Sequence, residues 1–351
     1  MKIIGPSVEY LYKDGLSASE IVERIGRTCY KSESKGDSVR FVKSLCESKH
    51  YAMTEHYWVH LFVTNSRLIF AFKRLFYNLY GSNSYPIDVE RFMQVSRIDA
   101  RYYISMPIRV LIEIDNCLYE KGYTSSEQLE YPLNIAYFML EFFYHYFGFK
   151  LQCSSSFLDN EDAGILFLSE EGFRRKIKEE KIDPDVMDNI LRKHITHTLK
   201  FVCDRGVSHE LVRHRLCSFA QESTRYCNYS KDKFGKEITV IKPLFFNRFP
   251  STADNVLYDE SDYSDWLMSC EYSERMYFSL LEKGATPEQA RSVLPNSLKT
   301  EIIVTANEEE WQNIVDLRYK GVTGSPHPQM KEVMSMAVPL LITNSEGRIM
   351  V

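Results

Sequence analysis

The order of the predicted strands and helices constrains the fold of this chain more than any other feature of its sequence. Residues 198–203 alternate in polarity and residues 300–305 are rich in β-branched side chains, so both segments predict strands. Residues 264–282 predict a long helix that ends at Gly284. Strands and helices follow one another without regular βαβ alternation, and neither GxGxxG nor a P-loop motif occurs. We therefore predict an α+β fold of mixed helix and sheet that is not a Rossmann fold.

Capping residues mark the starts of several predicted helices. Ser17 and Thr286 each stand three residues before a Glu or Gln, which is the capping-box pattern. Asn307 precedes a helix that Gly321 ends, and Ser208 is predicted to cap another. The residues that the helix beginning at Ser208 would carry are Glu210, Arg213 and His214. The remaining predicted elements are helices at about 38–48, 126–146, 169–180 and 184–193, and strands at 57–63 and 101–105.

The composition excludes several classes of protein. The 351 residues carry a net charge of −5, whereas proteins that bind the nucleic-acid backbone are usually basic, so we expect no nucleic-acid partner. No apolar run approaches the roughly 20 residues of a membrane span, and the N-terminus lacks the apolar core of a signal peptide. The eight cysteines are scattered without a CxxC pair, which favours reduced thiols in a cytoplasmic protein.

Two catalytic patterns are approached but not met. His209, Glu210 and His214 nearly form a zinc-binding HExxH helix, but the second histidine comes one residue late. Five positions turn a helix by about 140°, so these imidazoles cannot chelate one ion, and we expect no metal. No GxSxG elbow frames a serine, so Ser223 suits a phosphate ligand better than a nucleophile. Cys217 stands beside an arginine, a setting that can activate a thiol, but we interpret it as a packing residue.

Residues 213–226, RHRLCSFAQESTRY, combine cations with hydrogen-bonding side chains. Arg213, Arg215 and Arg225 lie within thirteen positions and are interleaved with hydroxyl and amide groups. Arginine forks bind phosphate bidentately, and hydroxyls and amides satisfy its remaining oxygens. The mixture suits an anionic ligand with hydrogen-bonding edges, although composition alone is equally typical of a solvated, charged helix end.

The spacing of these residues resembles the signature of the flavin-dependent thymidylate synthases. RHR at 213–215 is followed after seven residues by Ser223, and then by Arg225 and Tyr226, as in that signature. The resemblance covers roughly residues 1–64 and 198–345. The further matching segments are His50, Glu55-His56, Ala290-Arg291-x-Val-Leu-Pro295, Asn307, Asn313, Asp-Leu-Arg318 and His327-Pro-Gln329.

The resemblance implies a single catalytic domain over residues 1–351, with an extra segment of unknown role at about 65–195. It implies a homotetramer whose sites are built by several subunits. The implied reaction methylates dUMP at C5 to give dTMP. Methylenetetrahydrofolate supplies the carbon, and FAD that NADPH has reduced supplies the hydride. These small molecules are the expected partners, and no protein nucleophile is implied.

The resemblance also implies roles for individual residues. Arg318 would stabilise the ionised pyrimidine and His50 would lie beside flavin and folate, so these two are the predicted catalytic residues. The predicted dUMP-binding residues are Glu210, Arg213, Gln221, Glu222, Ser223, Arg225, Arg291 and Arg318. The predicted FAD-binding residues are His50, Arg213, His214, Arg215, Gln221, Asn307 and Asn313.

Several positions depart from the family pattern, which often has Asn-Glu where this chain has Ala220 and Gln221. Glu210 stands where a Gln often contacts the nucleotide, Ala52 replaces a hydroxyl residue that touches the flavin, and Glu309 replaces a flavin-contacting Arg. Acidic residues are favoured in the first turn of a helix, so we expect Glu309 to point to solvent. The departures leave an alternative open: a catalytically inactive or altered-specificity pyrimidine-nucleotide-binding flavoprotein of the same fold.

Overall fold

Helices and strands mix irregularly in this chain, as the α+β prediction requires. The computed structural model describes residues 1–13, 15–34, 36–64, 93–120, 122, 147, 165–247 and 260–351. The strands among these residues are β1 (Lys2–Ile4), β2 (Ser7–Tyr10), β3 (Trp58–Val63), β4 (Gln94–Ile98), β5 (Arg101–Pro107), β6 (Ile165–Leu168), β7 (Thr196–Asp204), β8 (Ser218–Gln221), β9 (Thr239–Ile241) and β10 (Lys299–Asn307). The helices are α1 (Ala18–Tyr30), α2 (Ser38–Glu47), α3 (Arg109–Glu120), α4 (Glu170–Lys178), α5 (Pro184–His194), α6 (Arg205–Leu211), α7 (Glu260–Glu282), α8 (Pro287–Ala290), α9 (Glu308–Val315) and α10 (Pro328–Asn344). A 3-10 turn covers Tyr51–His56, and a π-helical turn covers Asp316–Lys320.

The central sheet has the strand order β2-β7-β10-β8 and is covered by helices on both faces. All its pairs are antiparallel, and β10 pairs with β7 along nine residues. Ile302 and Val304 of β10 pack in one cluster with Trp311 of α9 and the apolar side of α10. Ile303 packs on the opposite face with Ile21 of α1. Successive strand residues point to opposite faces, so a strand buried on both sides needs the continuous apolar run seen here.

A second antiparallel sheet, of order β4-β5-β3-β6, occupies part of the segment whose role the sequence left open. It packs against α4 and α5 through a cluster that includes Tyr103, Phe173 and Leu191. The strands predicted at 57–63 and 101–105 and the helices predicted at 169–180 and 184–193 are confirmed. The helix predicted at about 126–146 lies outside the described residues.

Short strands at the N-terminus escaped the sequence analysis. β1 pairs in parallel with β9, and β2 forms one edge of the central sheet. Each strand is only three or four residues long and half exposed, so its apolar pattern is too short to show a period. No helix among the described residues is both long enough and apolar enough to cross a membrane.

The helix predicted to start at Ser208 begins earlier and ends earlier. Asp204, the last residue of β7, caps α6 by accepting the backbone N–H of Val207 at 2.8 Å. Ser208 lies inside the helix, where its hydroxyl donates to the carbonyl of Arg205 at 3.0 Å. An Asp directly before the helix competes well for the cap position, so α6 starts without a loop. Arg213 and His214 therefore follow the helix rather than belong to it.

Candidate functional site

The turn between α6 and β8 carries the Arg-His-Arg of the predicted signature. His214 is buried, and its backbone N–H donates to the carbonyl of Leu211 at 3.1 Å. Arg213 and Arg215 are exposed, and within the described part of the chain neither guanidinium has an ion-pair partner. The turn therefore buries its imidazole and leaves its two cations available to a ligand or to a second chain.

Arg318 lies at the centre of a charged cluster behind this turn. Its Nε donates to His214 Nε2 at 3.1 Å and its Nη1 donates to Glu210 Oε2 at 3.0 Å. Because Nε2 of His214 accepts, its ring proton lies on Nδ1, which faces Glu310 Oε1 at 3.3 Å. Asn313 Nδ2 donates to the same Glu310 carboxylate, 3.3 Å from Oε2. Four predicted site residues thus meet in one cluster: Glu210, His214, Asn313 and Arg318. Glu310 joins Asn313 to His214.

A π-helical turn and a glycine place Arg318 in this cluster. The turn Asp316–Lys320 follows α9 directly and carries Arg318. A π-helical turn holds one residue more than an α-helical turn, so it redirects the side chains that follow. Gly321 ends it with φ of 74°, and a Cβ there would lie 2.8 Å from the carbonyl oxygen of Gly324. Only glycine meets both conditions, which confirms the predicted helix end at this residue.

A cavity of about 450 Å³ lies between α1, the 3-10 turn and the end of β8. His50, Gln221 and Ser223, three of the predicted site residues, line it together with Tyr226 of the signature. Its walls also include the aromatic side chains of Tyr30 and Tyr51, alongside Leu45 and Met53. A largely apolar cavity of this size with a few converging polar groups is typical of small-molecule sites.

Gln221 and Ser223 face this cavity with unused hydrogen-bonding capacity. The amide nitrogen of Gln221 donates to Ser208 Oγ at 2.9 Å and Thr300 Oγ1 at 3.2 Å, which leaves its carbonyl oxygen to accept from a ligand. Ser223 Oγ accepts the backbone N–H of Arg225 at 3.3 Å, and its own proton has no acceptor among the described residues. Both side chains are therefore fixed in position and still able to bind a polar ligand.

Glu222, predicted to bind dUMP, lies on the opposite side of the strand end. Its carboxylate is buried, accepting from Lys299 Nζ at 2.7 Å and from the Tyr229 hydroxyl at 3.3 Å. It lines a different cavity, of about 840 Å³. Side chains alternate across an extended strand, so Gln221 and Ser223 share one side and Glu222 must take the other. This period of two was readable in the sequence.

The carboxylate of Glu222 belongs to a compensated ion cluster. Lys299 Nζ also lies 3.0 Å from Glu301 Oε1, and Lys31 and Lys200 contact the same Glu301 carboxylate, Lys200 at 2.9 Å. Burial by itself would raise the pKa of Glu301, but the charge of Lys299 and the contacts with Lys31 and Lys200 outweigh it and lower the pKa to about 2. The cluster therefore holds the Glu301 carboxylate ionised and joins the end of α1 to the central sheet.

Arg225 and Arg291 flank the cavity without lining it. Arg225 Nε lies 3.3 Å from Glu288 Oε2, and both side chains are about half exposed. Arg291 Nη1 donates to Thr224 Oγ1 at 3.4 Å, directly beside Ser223 in the chain. An exposed ion pair contributes about 0–1 kcal/mol, so Arg225 can exchange its partner for a ligand anion at little cost.

Asn307 serves as a helix cap in this chain. Its Oδ1 accepts the backbone N–H of Glu310 at 2.9 Å, as predicted, and its Nδ2 donates to the carbonyl of Lys193 at 3.0 Å. Neither Asn307 nor Asn313 lines the cavity that His50 shares with Ser223. Glu309 is exposed, whereas Glu308 and Glu310 on either side are buried.

The sequence analysis missed Arg109 and Lys49, which also border the cavity. Arg109 is the first residue of α3 and lies within the segment of unassigned role. Lys49 directly precedes His50 and has φ of 58°, a left-handed conformation in the connection between α2 and the 3-10 turn. Lys49 could have been found from the sequence, because it is the direct neighbour of the predicted site residue His50. Arg109 had no local signal, because 53 positions of chain separate it from the 3-10 turn that ends at His56.

The region of residues 187–340 matches the model of a family described as thymidylate synthase complementing protein. It contains the Arg-His-Arg turn, the Arg318 cluster, and the Gln221 and Ser223 side of the cavity.

Individual relatives carry the name flavin-dependent thymidylate synthase. The protein of Sulfolobus acidocaldarius is 33% identical over 40% of this chain and 52% of its own length. That of Pyrococcus abyssi is 29% identical over 36% of this chain and 47% of its own. That of Geobacter sulfurreducens is 32% identical over 32% and 43%. The chain thus spans about half the length of the curated relatives it matches.

One solved structure, the UMP/dUMP methylase PolB from Streptomyces cacaoi bound with 5-Br dUMP, is 18% identical to the chain. The match covers 49% of this chain and 85% of that one, with a TM-score of 0.37. A likeness this weak carries no weight for fold or function.

Proposed function

We propose that this chain is a flavin-dependent thymidylate synthase that methylates dUMP at C5 to give dTMP. The observation that carries the proposal is the cavity in which Gln221 and Ser223 of the signature meet His50 with unused hydrogen-bonding groups. The names of the relatives and the family of residues 187–340 support the same activity. The carbon donor in this proposal is methylenetetrahydrofolate, and NADPH is the reductant.

The complete site requires more than one copy of the chain. Arg318, His214 and Arg213 do not line the cavity that Ser223 and His50 line. In this proposal a second copy of the chain brings its Arg318 cluster to the cavity, so that both groups of residues act on one substrate. The turn around Arg213 also exposes Val212 and Leu216, 41% and 47% accessible, which suits a contact between copies. A homotetramer is therefore part of the proposal.

Arg318 would act electrostatically on the pyrimidine. C5 of uracil is a poor carbon nucleophile, and ionisation at N3 pushes electron density into the ring. A guanidinium has five N–H donors, and Arg318 uses three of them on His214, the Glu210 carboxylate and the Glu210 carbonyl. The remaining donors can face the ionised ring. Arginine stays protonated below pH ~12, so it stabilises the anion rather than removes the proton.

The phosphate of dUMP would be held beside Ser223. The Ser223 hydroxyl can donate to a phosphate oxygen, and Arg225 and Arg291 lie on the flank of the same chain segment. Charge-assisted bonds from arginine would then fix the nucleotide so that its C5 faces the cavity. Glu222, held in its ion cluster, has no part in this binding.

The residues present fit a flavin. Aromatic side chains at Tyr30, Tyr51 and Tyr226 offer flat apolar surfaces for a ring system, and the unpaired Arg213 and Arg215 offer cations for its phosphates. Bound FAD, once reduced, supplies the hydride for the methyl group. Asn307 uses Oδ1 for the helix cap and Nδ2 for the carbonyl of Lys193, so its predicted flavin contact would need a remaining amide proton or lone pair.

Tritium release from 5-tritiated dUMP tests the activity directly. We expect purified protein supplied with FAD, NADPH and methylenetetrahydrofolate to release tritium, and to stop when either co-substrate is left out. A yellow protein that binds dUMP and releases no tritium would support the inactive or altered-specificity alternative. A protein that binds neither FAD nor dUMP would overturn the proposal.

The single-domain organisation over residues 1–351 and a cytoplasmic location belong to the same proposal. The cysteines of the described residues are all free thiols, which suits a reducing compartment. Burial raises the pKa of the Cys203 thiol, and of the Cys227 and Cys270 thiols to about 11, so these three are packing residues and not nucleophiles.

A further inference from the structure

The 3-10 turn Tyr51–His56 forms one wall of the cavity and has little stability of its own. It carries Tyr51, Ala52 and Met53 into the cavity, directly after His50. Short 3-10 turns have poorer hydrogen-bond geometry than α-helices, and this one lacks a side-chain cap at its start. Its position must therefore come from tertiary contacts.

Helix α3 supplies two of those contacts, one at each end of the turn. Arg109 Nη1 donates to the carboxylate of Glu55, and its Nε and Nη2 donate to Glu113 Oε1, each at 3.2 Å. Asn116, two turns further along α3, donates from Nδ2 to the Tyr51 hydroxyl oxygen at 3.0 Å. The helix therefore grips the turn at its first residue and at its fifth.

The charges around Arg109 argue against a role for this residue in binding an anionic ligand. Arg109 is 25% exposed and faces two carboxylates, Glu55 and Glu113, which are 13% and 12% exposed. One cation against two anions leaves a net negative charge, so an anionic ligand gains little from Arg109. The partial burial of all three groups instead favours a fixed ion network that holds its geometry.

The far side of the turn is fixed to the central sheet. His56 is fully buried, and its Nδ1 lies 2.7 Å from Thr305 Oγ1 of β10. Burial lowers the pKa of His56 to about 3, so the imidazole stays neutral. The turn thus lies between two supports. His56 anchors it to the central sheet, and Arg109 and Asn116 of α3 hold its other side, a pair of contacts that we call the clamp. α3 lies outside residues 187–340, the part that matches the family.

We propose that Arg109 and Asn116 are positioning residues through which α3 shapes the cavity wall. They hold the turn Tyr51–His56 and thereby set where His50, Tyr51 and Met53 stand against a bound ligand. The contacts of the clamp are made within the chain and do not depend on a ligand. Its consequence for flavin affinity rests on the proposed function, since FAD is the ligand that the proposal assigns to the cavity.

Hydrogen exchange measures the clamp without any ligand. In Arg109→Ala we expect backbone amides of residues 50–57 to exchange about tenfold faster, because one partly buried ion contact of the turn is lost. Arg101→Ala is the matched control, since Arg101, the first residue of β5, pairs with Glu180 at 2.8 Å and does not line the cavity. Equal exchange of residues 50–57 in both variants and the unaltered protein would overturn the proposal.

A double-mutant cycle with FAD as probe measures the consequence. We expect Arg109→Ala and Glu55→Gln each to raise the dissociation constant for FAD by about tenfold, and the double variant to be no worse, because residues that act through one contact are not additive. Arg109→Lys should recover part of the affinity. Additive losses, or affinities within twofold of the unaltered protein, would overturn the link to the flavin. An unaltered protein that binds no FAD would instead defeat the proposed function, while hydrogen exchange would still decide the clamp.

Discussion

The two sides of the chain at the end of β8 are built for different purposes. On one side, Gln221 and Ser223 face a cavity with an acceptor and a donor left unused. On the other side, the carboxylate of Glu222 is buried against Lys299 and Tyr229 with its needs met. Three consecutive residues thus separate the side that we propose to bind a ligand from a structural side. Unused polar groups indicate binding, whereas compensated buried charges indicate support.

The largest effect is expected on the structural side. Lys299→Met leaves the Glu222 carboxylate buried without its closest cation, and breaking a buried pair from one side costs about 3–5 kcal/mol. Chemical denaturation measures this loss in the free energy of unfolding. The double variant Lys299→Met, Glu222→Gln should recover much of the stability. A single variant as stable as the unaltered protein would show that the cluster gives no support.

Arg318→Ala should affect turnover more than any change to the cavity itself. Losing one preorganised charge contact costs about 3 kcal/mol, a hundredfold in rate, and much of the flavin should stay bound. Tritium release and flavin absorbance measure the two quantities separately. Arg318→Lys keeps the charge and serves as the control. Near-normal turnover in the alanine variant would remove Arg318 from the mechanism.

Lowering the pH should reduce the stability that the ion cluster on the structural side contributes. The pKa of Glu301 falls from 4.5 to about 2 in the folded chain, so its contribution to stability is complete above about 4.5 and is lost as the pH falls towards 2. At 1.36 kcal/mol per pKa unit, this contribution is at most about 3 kcal/mol. Glu301→Gln should flatten the pH dependence of unfolding in that window. An unchanged acid transition would contradict the assignment.

Ser223→Ala should have the smallest effect, confined to the ligand-binding side. A neutral hydrogen bond to phosphate contributes about 1–2 kcal/mol, so the KM for dUMP should rise roughly tenfold with measurable turnover remaining. Ser292→Ala removes an exposed hydroxyl bonded to the Gln289 carbonyl and is the matched control. Complete inactivity of Ser223→Ala with intact dUMP binding would reopen the nucleophile interpretation.

The helices and strands that bear the site were predictable from local pattern. The capping boxes at Ser17 and Thr286, the Asn307 cap and the Gly321 end are all present. These features depend on residues three or four positions apart, so the sequence alone is enough to find them. The prediction that Ser208 caps α6 was wrong. Asp204 and Ser208 are both good capping residues, and only the position at which β7 ends decided between them.

The sequence by itself determined the α+β character, the positions of the signature residues and the match of residues 187–340 to a family model. Tertiary structure alone decided that Arg318 and Ser223 lie in separate places and that Arg109 reaches the cavity wall. Periodicity and capping act over a few residues of chain, whereas the contact between residues 55 and 109 depends on the pairing of β3 with β5, which sets Trp58 opposite Pro107. Long-range contacts leave no local pattern, and for that reason the clamp on the cavity became visible only in the folded chain.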